Sequence, residues 1–301
     1  MTKAAAVLSA FILSVLMCVT AFAEPYVDTG ILKLVNFAHR ISADYVPEMV
    51  RFEDTSYYLN EEAAASLSRM LDDMEEELGH APFVVSTYRS YERQEQVYNR
   101  DVNSAVENGV DIADAIKGTS RYIALPGASE HQTALAIDLS NDGSLEENFI
   151  ESEAGVWIRE NCHRYGFVVR YPKEKEVYTQ IGYEPWHIRY LGQPFSDILF
   201  ENDWCLEEFI AHMKRNRYMV WEDGENIWTM YFTENPGAVY DSNTMVSDTN
   251  SGGYIVTTRR SGESLISVVD GAAKTRKDMR IRLYAMNCAN MAAGAEDEQA
   301  E

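Results

Sequence analysis

The spacing of its short apolar runs limits what this chain can become more than any other feature. Strand-length runs occupy residues 83–88, 134–139 and 167–171, and a further one closes the segment KEKEVYTQIGYEPWHIRYLG. Helical patterns of unequal length lie between them. In NEEAAASLSRMLDDMEEELG, residues 60–79, Asn60 is the N-cap and acids fill the first turn. Leu67, Met70, Leu71, Met74 and Leu78 share one face, and Gly79 is the stop. YERQEQVYNRDVNSAVENG keeps helical spacing to Gly109, EENFIESEAGVWIRENCHRYG does so to Gly166, and QPFSDILFENDWCLEEFIAHMKRN adds further helix. These intervals do not repeat as uniform βαβ units. The pattern therefore predicts an α+β fold: a small, largely antiparallel sheet flanked by helices. Beyond residue 216 the character changes. RYMVWEDGENIWTMYFTENPG reads as an aromatic-rich hairpin about a D-G-E-N turn, and SGGYIVTTRRSGESLISVVDG continues in the same style. A body over residues 24–215, a β-rich C-terminal extension over 216–290 and an acidic tail over 291–301 are expected.

Residues 1–23 read as an export signal. Lys3 precedes an unbroken run of apolar and small residues, and Ala21, Phe22 and Ala23 form an A-x-A signal before Glu24. The run approaches the roughly 20 residues that cross a bilayer, so a retained anchor through residues 4–23 is the alternative. Either way the mature chain is expected outside the cytoplasm. Cys162, Cys205 and Cys288 then lie in a disulfide-permissive place. They are odd in number and show no CxxC spacing, so neither a disulfide nor a cysteine metal site is assigned. The formal net charge of −22, with no compact basic stripe, excludes a nucleic-acid partner. An anionic polymer would likewise have to be gripped by local contacts. Nothing in the pattern sets an oligomeric state.

The chemistry concentrates in two stretches, PGASEHQTALAIDLS at residues 126–140 and YEPWHIRY at 183–190. Hydrolysis at a zinc site needs three protein ligands, an open position for water and a carboxylate near enough to take the water's proton. His131, Asp138 and His187 supply the ligand types, and Glu184 the carboxylate. Glu184 and His187 stand three apart, which in a regular strand would send them to opposite faces. Pro185 makes a bulge between them plausible. Taken singly, each residue has a bland reading as a surface histidine, a turn cap, an exposed acid or half of an ion pair. Arg89, at a strand-to-helix junction, belongs to the same set only by combination.

Together these motifs resemble a family. SEHQTALAID resembles the S-x-H-x-x-G-x-A-x-D motif of the LAS zinc peptidases, EPWHIRYLG the E-x-W-H-x-R-Y segment of their VanY-type D-alanyl-D-alanine carboxypeptidases, and STYRSYERQ the Y-R-S element that precedes both. The resemblance covers roughly residues 41–212. It implies a LAS/hedgehog-type peptidase fold and one Zn2+ per chain on His131, Asp138 and His187. It also implies Glu184 as general base and later acid, Arg89 as donor to the developing oxyanion, and Ser129 and Gln94 as substrate contacts. The implied reaction removes the terminal D-alanine from a peptidoglycan stem pentapeptide. A D,D-dipeptidase, an L-Ala–D-Glu endopeptidase and a non-catalytic peptidoglycan-binding envelope protein are the alternatives. Ala134 departs from the motif where the family has glycine. A positive φ there would cost about 1 kcal/mol and could shift the loop that carries His131.

Overall fold

The computed structural model describes residues 28–237 and 242–261. The leader, Cys288 and the acidic tail lie outside the described residues. Among those described, no helix is long and apolar enough to cross a membrane. The described residues divide into two compact units, one of residues 28–219 with those described in 230–257 and one of residues 220–229 with 258–261.

The larger unit opens with an antiparallel ribbon, β1 (Val50–Arg51) and β2 (Tyr58–Leu59). Helix α1 (Glu61–Leu78) follows. It starts where expected because the Asn60 side chain accepts from the backbone N–H groups of Glu62 and Ala63, and it ends at Gly79, whose φ of 75° only glycine adopts freely. Leu67, Met70 and Met74 on its inner face are fully buried. Strand β3 (Phe83–Ser86) and helices α2 (Tyr91–Glu107) and α3 (Ile112–Thr119) come next. The sequence pattern assigns no element to residues 110–120. Asp111 nevertheless caps α3, which packs on α2 to bury Tyr98, Val102 and Ala115. A one-turn 3-10 helix, Glu130–Thr133, leads into β4 (Ala136–Ser140). The stretch expected as one helix to Gly166 is broken at Ser152. A 3-10 turn (Glu147–Glu151) precedes that residue, and its hydroxyl then caps α4 (Glu153–Asn161) by accepting from the Gly155 N–H. Strand β5 (Phe167–Tyr171), the short helix α5 (Glu176–Thr179), strand β6 (Glu184–Tyr190) and helices α6 (Phe195–Asn202) and α7 (Leu206–Asn216) complete the order.

The central sheet runs β3-β4-β6-β5, every neighbouring pair antiparallel. Its register positions the chemistry. Asp138 on β4 stands opposite Ser86 on one side and His187 on the other. Between β5 and β6, Val169 pairs with Ile188 and the next pair is Tyr171 with Glu184, so β6 bulges across Pro185, Trp186 and His187. Cys162 and Cys205 are both buried and both free, and burial pushes each thiol up to about 12.

A second four-stranded sheet has the order β7 (Tyr218–Glu222), β8 (Asn226–Thr233), β10 (Tyr254–Ser261), β9 (Thr244–Asp248). Its β9 end binds the first described residues of the larger unit. Thr29 N–H donates to the Val246 carbonyl at 2.9 Å, Leu32 N–H to Ser247 Oγ at 2.9 Å and Leu34 N–H to the Thr249 carbonyl at 3.1 Å. Residues 230–257, which the aromatic-rich pattern groups with an appendage, thus pack with the larger unit. In the smaller unit, Asp223 organises the hairpin turn, accepting from the N–H groups of Glu225 and Asn226 and from Trp228 Nε1.

Candidate metal centre

His131 reaches the sheet through a loop that needs a glycine. Gly127 has φ +80°, and a Cβ on it would meet the Ile41 carbonyl oxygen at 2.7 Å. The 3-10 turn ends at Ala134, whose φ of 59° is left-handed and which is wholly buried. The glycine expected at that position would have been unstrained. The loop is instead tied down from both ends: Asn60 N–H donates to the Ala134 carbonyl at 2.9 Å, and Arg89 N–H to the His131 carbonyl at 3.0 Å.

The register and this loop bring His131, Asp138 and His187 together, their ligating atoms all within 4.8 Å of one another and all three side chains buried. His131 Nδ1 lies 2.7 Å from the Thr87 carbonyl, which leaves Nε2 facing Asp138 Oδ2 at 3.1 Å. His187 Nδ1 lies 3.0 Å from Asp138 Oδ1. Two imidazole nitrogens and a carboxylate oxygen converging on one buried point match the donor set and count of a catalytic zinc site. Among the described residues this is the one such group of three. In the metal-free chain, burial opposes the charge on Asp138, but the hydrogen bonds and charges of both histidines outweigh it and hold the carboxyl well below its usual range. Burial lowers His131. It would lower His187 too, but the contacts with Asp138 and Glu130 carry that ring up to about 9.

Glu184 lies on the same side as His187, its Oε2 3.7 Å from Nδ1. The β6 bulge is what makes a three-residue separation behave like a same-face pair. Burial pushes the Glu184 carboxyl up to about 8 against the pull of His187 and Arg89. Arg89 is fixed by two hydrogen bonds, Nη1 to Gln94 Oε1 at 2.9 Å and Nη2 to Ser86 Oγ at 2.8 Å, with Asp138 Oδ2 3.8 Å from Nη2. Gln94 is engaged at both ends, since its Nε2 also donates to the Ala124 carbonyl at 2.6 Å. Arg89, Gln94, Ser129, Glu184 and the three ligand residues all line one cavity of about 450 Å³, with Tyr171 and Trp186 among its apolar walls. The sequence-derived set therefore converges on a single place.

One buried charge cluster that reaches the cavity wall through Glu130 has no counterpart in the sequence reading. Glu130, Arg170 and Arg189 are fully buried, with Glu130 Oε1 2.8 Å from Arg170 Nε and 2.8 Å from Arg189 Nη1. Arg170 is also held by Glu207 through two bonds of 2.8 and 2.7 Å. The legible signal was an arginine inside each of the buried strands FVVRY and EPWHIRY, because a charge in such a strand requires a partner.

Comparison with known proteins agrees with this geometry. The family model described as VanY, D-alanyl-D-alanine carboxypeptidase, matches residues 56–193. Three solved structures share the fold at 30–35% identity. The vancomycin-resistance D,D-dipeptidase VanXYg superimposes with a TM-score of 0.65 at 30% identity, over 77% of this chain and 94% of its own. The D,D-pentapeptidase VanY of a VanB-type cassette, solved as a variant in complex with Zn(II), gives 0.54 at 32%, over 60% and 98%. The LD-carboxypeptidase LdcB gives 0.53 at 35%, over 60% and 86%.

Proposed function

Since the chain belongs to the VanY family of D-alanyl-D-alanine carboxypeptidases, we propose that it removes the terminal D-alanine of peptidoglycan stem pentapeptides, with Glu184 and Arg89 as its catalytic side chains. The observation that carries this reading is the β6 bulge, which turns Glu184 and His187 toward one cavity, 3.7 Å apart. A zinc ion held by His131, Asp138 and His187 supplies Lewis acidity at the scissile carbonyl and acidifies the attacking water. Glu184 takes that water's proton and passes it to the departing amine of D-alanine. Burial favours this, because a desolvated carboxylate gains by accepting a proton. Arg89, already aimed by Gln94 and Ser86, donates to the carbonyl oxygen as it gains charge. Ser129, on the cavity wall beside His131, is placed to contact the peptide. The intact base and arginine weigh against a purely binding role, which would need neither.

A different cleavage register on the same machinery is the second reading, because a D,D-dipeptidase and an LD-carboxypeptidase share this fold. Mass spectrometry of a stem pentapeptide, a stem tetrapeptide and D-Ala-D-Ala, each incubated with the zinc-loaded protein, tests both. Loss of one alanine from the pentapeptide is the expected result. Preference for either other substrate moves the register, and no cleavage of any would leave the binding reading. We also place the enzyme outside the cytoplasmic membrane, where stem peptides are, on the strength of the leader pattern in residues 1–23. The amino terminus of the exported protein decides between release and tethering: Glu24 means cleavage, and persistence of residues 4–23 means an anchor.

A further inference from the structure

We infer that Glu130 is a positioning residue that sets the tautomer and orientation of His187 from the 3-10 turn beside His131, so that Nδ1 is the atom offered to zinc. The inference rests on the metal-site reading above. It begins with two buried polar atoms that lack partners and face each other: Glu130 Oε2 and His187 Nε2, 3.8 Å apart. A neutral imidazole carries its proton on one nitrogen only. Nδ1 is the nitrogen turned to the other site groups, 3.0 Å from Asp138 and 3.7 Å from Glu184. For Nδ1 to present a lone pair, Nε2 must hold the proton, and the acceptor waiting for it is Glu130 Oε2.

Glu130 is built to stay still. Its other oxygen accepts a charge-assisted hydrogen bond from Arg170 Nε and forms a close ion pair with Arg189 Nη1. Arg170 is clamped in turn by Glu207, and Arg189 donates through Nη2 to the carbonyls of Ile31 and Lys33 at 2.9 and 3.1 Å. Two carboxylates thus balance two guanidinium groups, and the carboxylate cannot swing away from His187. Nothing in that balance alone requires the second oxygen to point at a metal ligand.

Glu130→Gln separates orientation from bulk. Both arginines demand an acceptor, so the amide oxygen stays with them and the NH2 group turns to His187. A donor there makes Nε2 the acceptor and drives the proton onto Nδ1, the wrong tautomer for binding. Zinc affinity of the full chain, measured by competition with a chromogenic chelator, should fall about 10–100-fold. In Glu207→Gln, which alters the same buried network without touching His187, it should stay within about threefold of the unmodified chain. In the unmodified zinc-loaded chain, nitrogen-15 NMR should show His187 protonated on Nε2, and that readout stands even if Glu130→Gln fails to fold. Unchanged affinity in Glu130→Gln, equal losses in both variants, or a proton on Nδ1 would each overturn the inference. An unmodified chain that binds no zinc would sink the metal-site reading itself, whereas one that binds zinc while Glu130→Gln binds equally well would sink this inference alone.

Discussion

Arg89 holds its pose through hydrogen bonds to protein neighbours alone. Gln94 and Ser86 fix its two terminal nitrogens, so the donor is aimed before charge develops on the substrate. Arg89→Ala should lower kcat by about 10²–10³-fold, as loss of an oxyanion donor does, while bound zinc measured by elemental analysis stays stoichiometric. Loss of zinc along with activity would make Arg89 a structural neighbour of Asp138 instead. Glu184→Gln should likewise keep its zinc and lose about 10²–10⁴-fold in turnover; full activity would remove it from the mechanism. Ala134 tests the cost of a left-handed φ. Glycine there relieves about 1–2 kcal/mol of backbone strain, offset by about 0.8 kcal/mol for a lost buried methyl and about 0.4–1 kcal/mol of extra unfolded-chain freedom. Thermal unfolding of Ala134→Gly should therefore sit within about 1 kcal/mol of the parent, whereas Ala134→Val, β-branched at positive φ, should lose about 2 kcal/mol or more. The ligands and the base were readable because each sits in a short ordered motif. Glu130 was not, because its meaning depends on Arg170 and Arg189, which only folding brings beside it.

Elements were legible where local chemistry decides them. Helix α1 begins at its Asn60 cap and ends at Gly79 because both signals are one residue wide and act on adjacent backbone. Asn60→Ala should cost about 0.5–2 kcal/mol in a denaturant titration; an unchanged midpoint would mean that the Ala134 carbonyl contact, made by the backbone of residue 60, holds the helix start alone. The run expected as a strand over residues 83–88 stops at Ser86, because the Thr87 carbonyl turns to meet His131 Nδ1. The run expected over 134–139 starts late because Ala134 is left-handed. Helix α3 escaped notice since its apolar side is short and finds its partner on α2. In each case a tertiary contact moved a boundary that propensity alone would have set elsewhere. The β6 bulge is intermediate: Pro185 hinted at it, and only the pairing with β5 gives its extent.

At the scale of the molecule, the least legible fact is that residues 244–250 hold the segment 29–34, far away in the chain. Arg189 reaches the carbonyls of Ile31 and Lys33, so this remote pairing supports the arginine that braces Glu130. A chain ending at residue 216 should then lose the hydrogen bonds that Thr29, Leu32 and Leu34 make to β9 and its flank, about 3 kcal/mol in all, seen as a Tm lower by roughly 6–12 °C. An equally stable truncated chain would show that the N-terminal segment needs no cover. The two free thiols among the described residues add something of another kind. Cys162 lies where α4 gives way to β5, and Cys205 caps α7; neither forms a disulfide, and both resist ionisation in the folded chain. The protein thus carries a pair of clocks that start only when it opens. An alkylating reagent should leave both silent at neutral pH and mark each as its own corner comes apart, so the order of labelling would read out which of the two helix ends lets go first.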